Sequence, residues 1–301
     1  IQFLDMGGAS LKMNDDGSVN LMVGATDIGT GSDTILAQIA AETLTLPMEK
    51  VIVLSSDTDL TPFDTGAYAS STTYISGKAV QLCSEKIREQ ILSIAAPMLE
   101  CDATSLSLRA MSVVDIRTDR SVSFEDIACR ATYTTNQAQI QATASFVADE
   151  SPAPFIAQFA EVEVDIRTGT VRVLSFVSVA DCGVALNPRM VEGQIEGATV
   201  NGISFALCEE LLFDSSGRVT NPSFWDYKIY TAADVPPMKT IVLDSFEPTG
   251  PFGAKSIAEI GINGPAPAIA NAIFDAIGIR MFDLPMTPEK VLREIGRRGV
   301  S

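Results

Sequence analysis

Four stretches of this sequence gather glycine and small polar residues where a helix is due to begin, a composition suited to holding a ligand. The first is Gly24-Ala25-Thr26-Asp27-Ile28-Gly29-Thr30-Gly31-Ser32. Backbone N–H groups at a helix start attract phosphate and other anions. The spacing matches neither a Walker A loop nor a Gly-x-Gly-x-x-Gly turn, so an anion site and an ordinary tight loop both stay open. The second, Asp64 to Thr73, runs without a large aliphatic side chain; its backbone faces either a polar ligand or solvent. The third puts Gly193, Gln194, Gly197 and Gly202 in one helix, where each glycine costs about 1 kcal/mol against alanine. Close packing of a second helix explains such glycines more simply than a ligand does. The fourth, Gly250 to Gly261, holds Glu259 between Ala258 and Ile260. A carboxylate among apolar neighbours can be desolvated, which suits general-base chemistry. The alternative is a solvated or helix-capping glutamate.

Much other chemistry is excluded. The 301 residues include no histidine, which removes Ser-His-Asp and Cys-His catalysis, HExxH metal sites and His-ligated iron. Cys83, Cys101, Cys129, Cys182 and Cys208 lie far apart with no CxxC pair, so neither a zinc finger nor a ferredoxin-type cluster fits. An odd, sparse set also argues against a disulfide scaffold and for a reduced, cytoplasmic setting. A formal charge of −17 repels nucleic acid and anionic lipid. With 46% hydrophobic residues and a mean hydropathy of +0.22, the chain can build a sizeable core. No apolar run approaches the roughly 18 residues of a spanning helix. Ile1-Gln2-Phe3 does not open a signal peptide, and the expectation is a fragment or processed subunit.

The elements that must position these loops follow from periodicity. Alternation over Ala9–Met13 and Val19–Val23 around Asp16-Gly17 predicts a hairpin. A helix from about Ser32 follows, burying Ile35, Leu36, Ile39 and Thr43. Val51–Leu54 reads as a short buried strand. Val80, Cys83, Ile87, Ile91 and Ile94 mark a helix ending near Pro97. A second hairpin spans Phe159–Val164 and Val171–Leu174 around Arg167-Thr168-Gly169, followed by a helix from about Met190 to Leu211. Ala266–Ile277 forms a helix stopped by Gly278, and Thr287-Pro288 caps the last helix. Hairpin, loop and helix thus occur twice, about 150 residues apart, which is either a pseudo-repeat or a coincidence of common elements. The expected fold is α+β: two α/β lobes with mixed sheets, residues 1–150 and 151–301, the second carrying the Glu259 loop.

In their order and spacing the four loops resemble the molybdenum-binding portion of the xanthine dehydrogenase/aldehyde oxidase family of molybdenum hydroxylases. The resemblance runs from the hairpin at Asp16-Gly17 to Leu284-Pro285-Met286-Thr287-Pro288-Glu289 and corresponds to the second half of the family's molybdenum subunit. It implies a molybdopterin cofactor, in a plain or cytosine dinucleotide form. Gly29-Thr30-Gly31 then matches a Gly-Gln-Gly turn at the molybdopterin phosphate region, with Thr30 in place of the glutamine. Ala69 and Ser70 match backbone that passes beside the metal, and Ser70, Ser71, Thr72 and Thr73 the pterin or dinucleotide contacts. Gln194 matches a glutamine that reaches the pterin. Glu259 matches the catalytic glutamate, although Ala258 stands where the family often has glycine. The metal is held by the cofactor, so no protein ligand is implied.

The implied activity is oxidative hydroxylation with water as the oxygen source, Glu259 serving as the base. Asp57 to Gly66 looks most like purine or nicotinate hydroxylases, so an N-heteroaromatic or aldehyde substrate is expected. The implied partners are the subunit's first half, with its Gly-Gly-Gly-Phe-Gly motif, and iron–sulfur and FAD subunits or domains. Two other classes compete. One is a cofactor-free scaffold or assembly fragment of such an enzyme, inactive alone. The other is a phosphate-binding acid–base hydrolase, which lacks a recognisable nucleophile motif.

Overall fold

The computed structural model describes residues 5–134 and 137–298; the opening Ile1-Gln2-Phe3 lies outside them. Two compact units form. One comprises the chain up to Ala153 together with Ser245–Ser256; the other comprises Pro154–Asp244 and the chain from Ile257 onward.

The first unit opens on the expected hairpin. β1 (Met6–Met13) and β2 (Val19–Val23) pair antiparallel, Ala9 opposite Val23 and Met13 opposite Val19. Asp16 Oδ1 accepts both the N–H and the hydroxyl of Ser18 in the turn. Chiefly through that hydroxyl, and helped by Lys50, its carboxyl is held at about 2. α1 (Ser32–Leu44) buries Ile35, Leu36, Ile39 and Leu44. Thr43, expected in that stripe, is only half-buried, and its hydroxyl donates to the Ile39 carbonyl at 2.7 Å. β3 (Val51–Ser55) pairs parallel to β2. It forms an edge rather than a buried strand: Val51 points in, whereas Ile52 is 54% exposed. One face of an edge strand is left to solvent, hence the alternation.

α2 (Thr72–Leu99) is the long helix of this unit. Val80, Cys83, Ile87 and Ile91 are fully buried, while Ala95 takes the inward place expected of Ile94. The helix runs past Pro97 to Leu99. There the Ala96 carbonyl accepts the N–H groups of Glu100 and Cys101. α2 lies directly on β1, where a Cβ on Gly7 would come 2.8 Å from Ser76 Cα. β4 (Leu106–Arg109), β5 (Ser112–Asp115) and β6 (Ser121–Ser123) make a small antiparallel sheet, followed by α3 (Phe124–Tyr133). β7 (Gln141–Val147) closes the mixed sheet in the order β3-β2-β1-β7.

The second unit opens the same way. β8 (Phe155–Val164) and β9 (Val171–Asp181) pair antiparallel, with a bulge between Glu161 and Val162. Their turn needs Gly169, at φ +74°, because a Cβ there would lie 2.2 Å from the Pro288 carbonyl. α4 (Pro188–Leu207) starts at an Asn187 cap and ends short of the expected Leu211. The Ser204 carbonyl takes the N–H groups of Cys208 and Glu209, and two further glutamates would load the negative helix end. β10 (Met238–Val242) adds parallel to β9, giving the order β10-β9-β8. α5 (Ile260–Asn263), α6 (Pro265–Ile277) and α7 (Pro288–Arg298) follow. Gly278, at φ +71°, ends α6, and Thr287 caps α7. Val173, Phe176, Ile203, Ile269, Ile273 and Val291 form the core. Among the described residues no helix is long and apolar enough to cross a membrane.

Candidate functional site

The Gly29-Thr30-Gly31 loop joins β2 to α1 and depends on glycine at both ends. Gly29 has φ +99° and Gly31 φ +80°, conformations that cost an L-residue about 1–2 kcal/mol. The N–H groups expected to be open to an anion are engaged. Asp27 Oδ1 accepts from Gly29 N at 2.9 Å and Gly31 N at 3.1 Å, and Oδ2 accepts from Asp33 N at 3.3 Å. Burial pushes the Asp27 carboxyl up, but these backbone donors outweigh it and hold it below the usual carboxylate range. The loop therefore carries its own anion at the start of α1. What it leaves open is its outer face, where nothing lies within 4 Å of a Cβ placed on Gly29. The signal was in the sequence: an aspartate two residues before a glycine is an Asx-turn pattern.

The second loop lies against the first. A Cβ on Gly24 would come 2.2 Å from the Pro62 carbonyl and 2.8 Å from Asp64 Cβ. Asp64 then ties the loop to α2, accepting from Ser76 Oγ at 2.7 Å and from Gly66 N at 3.0 Å. Next comes the most strained backbone of the region: Ala69 at φ +49° and Ser70 at φ +53°, two consecutive non-glycine residues in the left-handed region. Such pairs persist only where the surroundings fix them, and they gather at functional sites. Ser71 is buried, and α2 begins at Thr72, so Thr72 and Thr73 are helical rather than part of a loop. The Ser71 carbonyl accepts the Ile75 N–H, and the buried Ser256 hydroxyl accepts the Tyr74 N–H at 2.8 Å. These two bonds fix the first turn.

Ser256 belongs to the fourth loop, whose residues divide between the units. The Gly250–Ser256 part is held on the first by Ser256, by the Tyr74–Thr249 hydroxyl contact at 2.8 Å and by Lys255 Nζ donating to the Ala153 carbonyl at 3.2 Å. A Cβ on Gly250 would lie 1.9 Å from the Ala254 carbonyl.

Glu259 lies in the second unit, at the start of α5. It is exposed, the solvated alternative rather than the desolvated one. Ala258 and Ile260 are half-buried on either side, and Glu259 takes the helix-start position between them, its backbone carbonyl accepting the Ile262 N–H at 3.2 Å. α5 itself has little freedom. A Cβ on Gly261 would come 2.8 Å from Ala198 Cβ on α4, and one on Gly264 would come 2.0 Å from Gln158 Oε1. Gln194 lies half-buried on α4, before the buried Ile195 that touches Gly261.

The three α4 glycines serve two purposes. Gly202 admits Pro265, 2.6 Å from its would-be Cβ, whereas Gly193 and Gly197 face open space. Packing thus explains only the last of them. Gln158, which no motif flagged, gave one sequence signal: an amide at an inward position of β8, where Ile156, Ala160, Val162 and Val164 fill the others.

Taken unit by unit, the residues have the chemistry a polar cofactor needs: in the first, Thr30, Ser70, Thr72 and Thr73 are neutral hydrogen-bonding groups and Gly29 borders open space; in the second, Gln194 is a neutral amide and Gly193 and Gly197 border open space. Among the described residues no three Cys, Asp or Glu side chains cluster to hold a metal ion directly.

Residues 1–236 match the family model described as "Molybdopterin cofactor-binding domain". The chain is 40% identical over 290 residues to the "Probable hypoxanthine oxidase XdhD" of Escherichia coli strain K12, covering 96% of this chain and 30% of that protein. It is 36% identical over 302 residues to the "Putative xanthine dehydrogenase molybdenum-binding subunit XdhA" of the same strain, covering 99% of this chain and 40% of that one. Quinoline 2-oxidoreductase from Pseudomonas putida 86 shares the fold with a TM-score of 0.91 at 28% identity, over 97% of this chain and 38% of that one. The chain thus spans well under half the length of these relatives. It belongs to the molybdopterin cofactor-binding domain family of the molybdenum hydroxylases.

Proposed function

We propose that this chain, assembled with the remainder of a molybdenum subunit, hydroxylates an N-heteroaromatic compound, purine- or nicotinate-like, or an aldehyde, with Glu259 as general base. The balance is substrate C–H plus water giving C–OH, two protons and two electrons. When bound, the molybdenum cofactor supplies the two-electron redox chemistry. The protein's part is to hold, orient and move a proton. The Thr30 hydroxyl, the Ala69-Ser70 backbone, the hydroxyls of Ser70, Ser71, Thr72 and Thr73, and the Gln194 amide would hold the cofactor. With Asp27 already on the N–H groups of Gly29 and Gly31, that loop contributes through Thr30 and its open outer face. The Glu259 carboxylate accepts the proton as water-derived oxygen attacks the electron-poor carbon.

The observation that carries this reading is how Glu259 is presented: exposed, on a segment that Gly261 and Gly264 press onto rigid neighbours. A base held that way keeps its direction. The relatives named for hypoxanthine, xanthine and quinoline favour a nitrogen heterocycle. Both electrons leave to iron–sulfur and flavin centres on partner subunits or domains. Isotope labelling tests the reaction class. Turnover in H₂¹⁸O should place ¹⁸O in the hydroxylated product, and ¹⁸O₂ should place none; label from O₂ would refute it.

A further inference from the structure

Within the unit that carries Glu259, one polar side chain is bonded to several elements around α5. Gln158 Nε2 lies 3.0 Å from Ser178 Oγ on β9, 3.1 Å from Thr199 Oγ1 on α4 and 3.0 Å from the Gly261 carbonyl on α5. Two amide protons face three acceptors. Hydroxyls exchange donor and acceptor roles, and Ser178 and Thr199 stand 3.3 Å apart, able to serve each other. A carbonyl can only accept. One amide proton therefore belongs to Gly261.

The arrangement is not an efficient piece of core. Gln158 Oε1 is buried with no hydrogen-bond partner, a loss of stability that an aliphatic residue would avoid. The other inward residues of β8, Ile156, Ala160, Val162 and Val164, are aliphatic. Oε1 is also what forbids a side chain at Gly264. Glutamine thus costs stability at this position, and what it supplies is an N–H bond to the backbone two residues beyond Glu259.

We infer that Gln158 is a positioning residue: its bond to Gly261 fixes the start of α5 and with it the direction of the Glu259 carboxylate. The inference rests on the reading of Glu259 as the base, and the test separates the two. Amide exchange over residues 257–263 and steady-state kinetics are measured in the assembled enzyme for Gln158→Met, Gln158→His and Thr199→Val.

Methionine keeps the length and loses the donor. It should raise exchange of the segment by about tenfold and lower kcat by about a hundredfold with KM nearly constant. Histidine keeps an N–H and should restore both values to near those of the parent. Thr199→Val disrupts the network but leaves the Gly261 bond, so exchange should stay as in the parent. If methionine prevents folding, Gln158→Leu, which also loses the donor, carries the same expectations. Unchanged exchange in the donor-less variant overturns the inference, as does an equal rise in Thr199→Val. Raised exchange with unchanged kcat leaves a clamp on α5 but overturns its positioning of Glu259, whose own role as base is decided separately by Glu259→Gln.

Discussion

The Asp27 carboxylate accepts the Gly31 N–H at 3.1 Å, so the loop before α1 is closed by an anion of the protein's own. With Gly29 and Asp33 on the same carboxylate, the helix start and the turn hold one geometry before any ligand arrives. Such preorganisation lowers the ordering cost of binding.

Asp27→Asn keeps one acceptor oxygen but loses the charge and turns a donor toward Asp33 N–H. We expect it to destabilise the first unit by about 1–2 kcal/mol near neutral pH. Folding depresses the Asp27 carboxyl, so its contribution is complete above the ordinary aspartate range and drains away as pH falls through the folded value. Urea unfolding of both proteins should show a stability difference near pH 7 that closes below about pH 4. A gap that widens in acid would contradict the sign.

Glycines on one helix should respond oppositely to alanine. Gly197→Ala meets nothing within 4 Å and should raise stability by about 0.5–1 kcal/mol through helix propensity. Gly202→Ala drives a methyl to 2.6 Å from Pro265 and should cost about 1–3 kcal/mol. Thermal unfolding of the two variants decides this; a destabilised Gly197→Ala would show that its face is already covered.

Ala69 sits at φ +49° without needing its methyl for burial. Ala69→Gly should relieve about 1 kcal/mol of strain, offset in part by unfolded-state entropy, whereas Ala69→Val should destabilise by more than about 1 kcal/mol. Equal stabilities for the three proteins would mean that the backbone here does not hold the left-handed conformation.

The legible parts of this fold were those with local causes. Asp16-Gly17 and Thr168-Gly169 mark turns by their own chemistry, and Gly278 and Thr287-Pro288 punctuate helices in ways a neighbour cannot alter. Features set by packing across the unit were not legible. Ile52 and Leu54 read as core, yet nothing in their alternation says that the outer face of β3 is bare. The apolar neighbours of Glu259 left a desolvated and a solvated carboxylate both open; successive side chains point different ways, so Ala258 and Ile260 turn inward without it. Likewise Gln158 acquires meaning only when β9, α4 and α5 close around it.

The Glu259→Gln variant of the assembled enzyme tests the central claim most directly. The account predicts unchanged molybdenum and pterin content and near-parental KM, with kcat lowered by about two to four orders of magnitude, the span of a lost general base. Turnover within about tenfold of the parent at full cofactor occupancy would take Glu259 out of the mechanism.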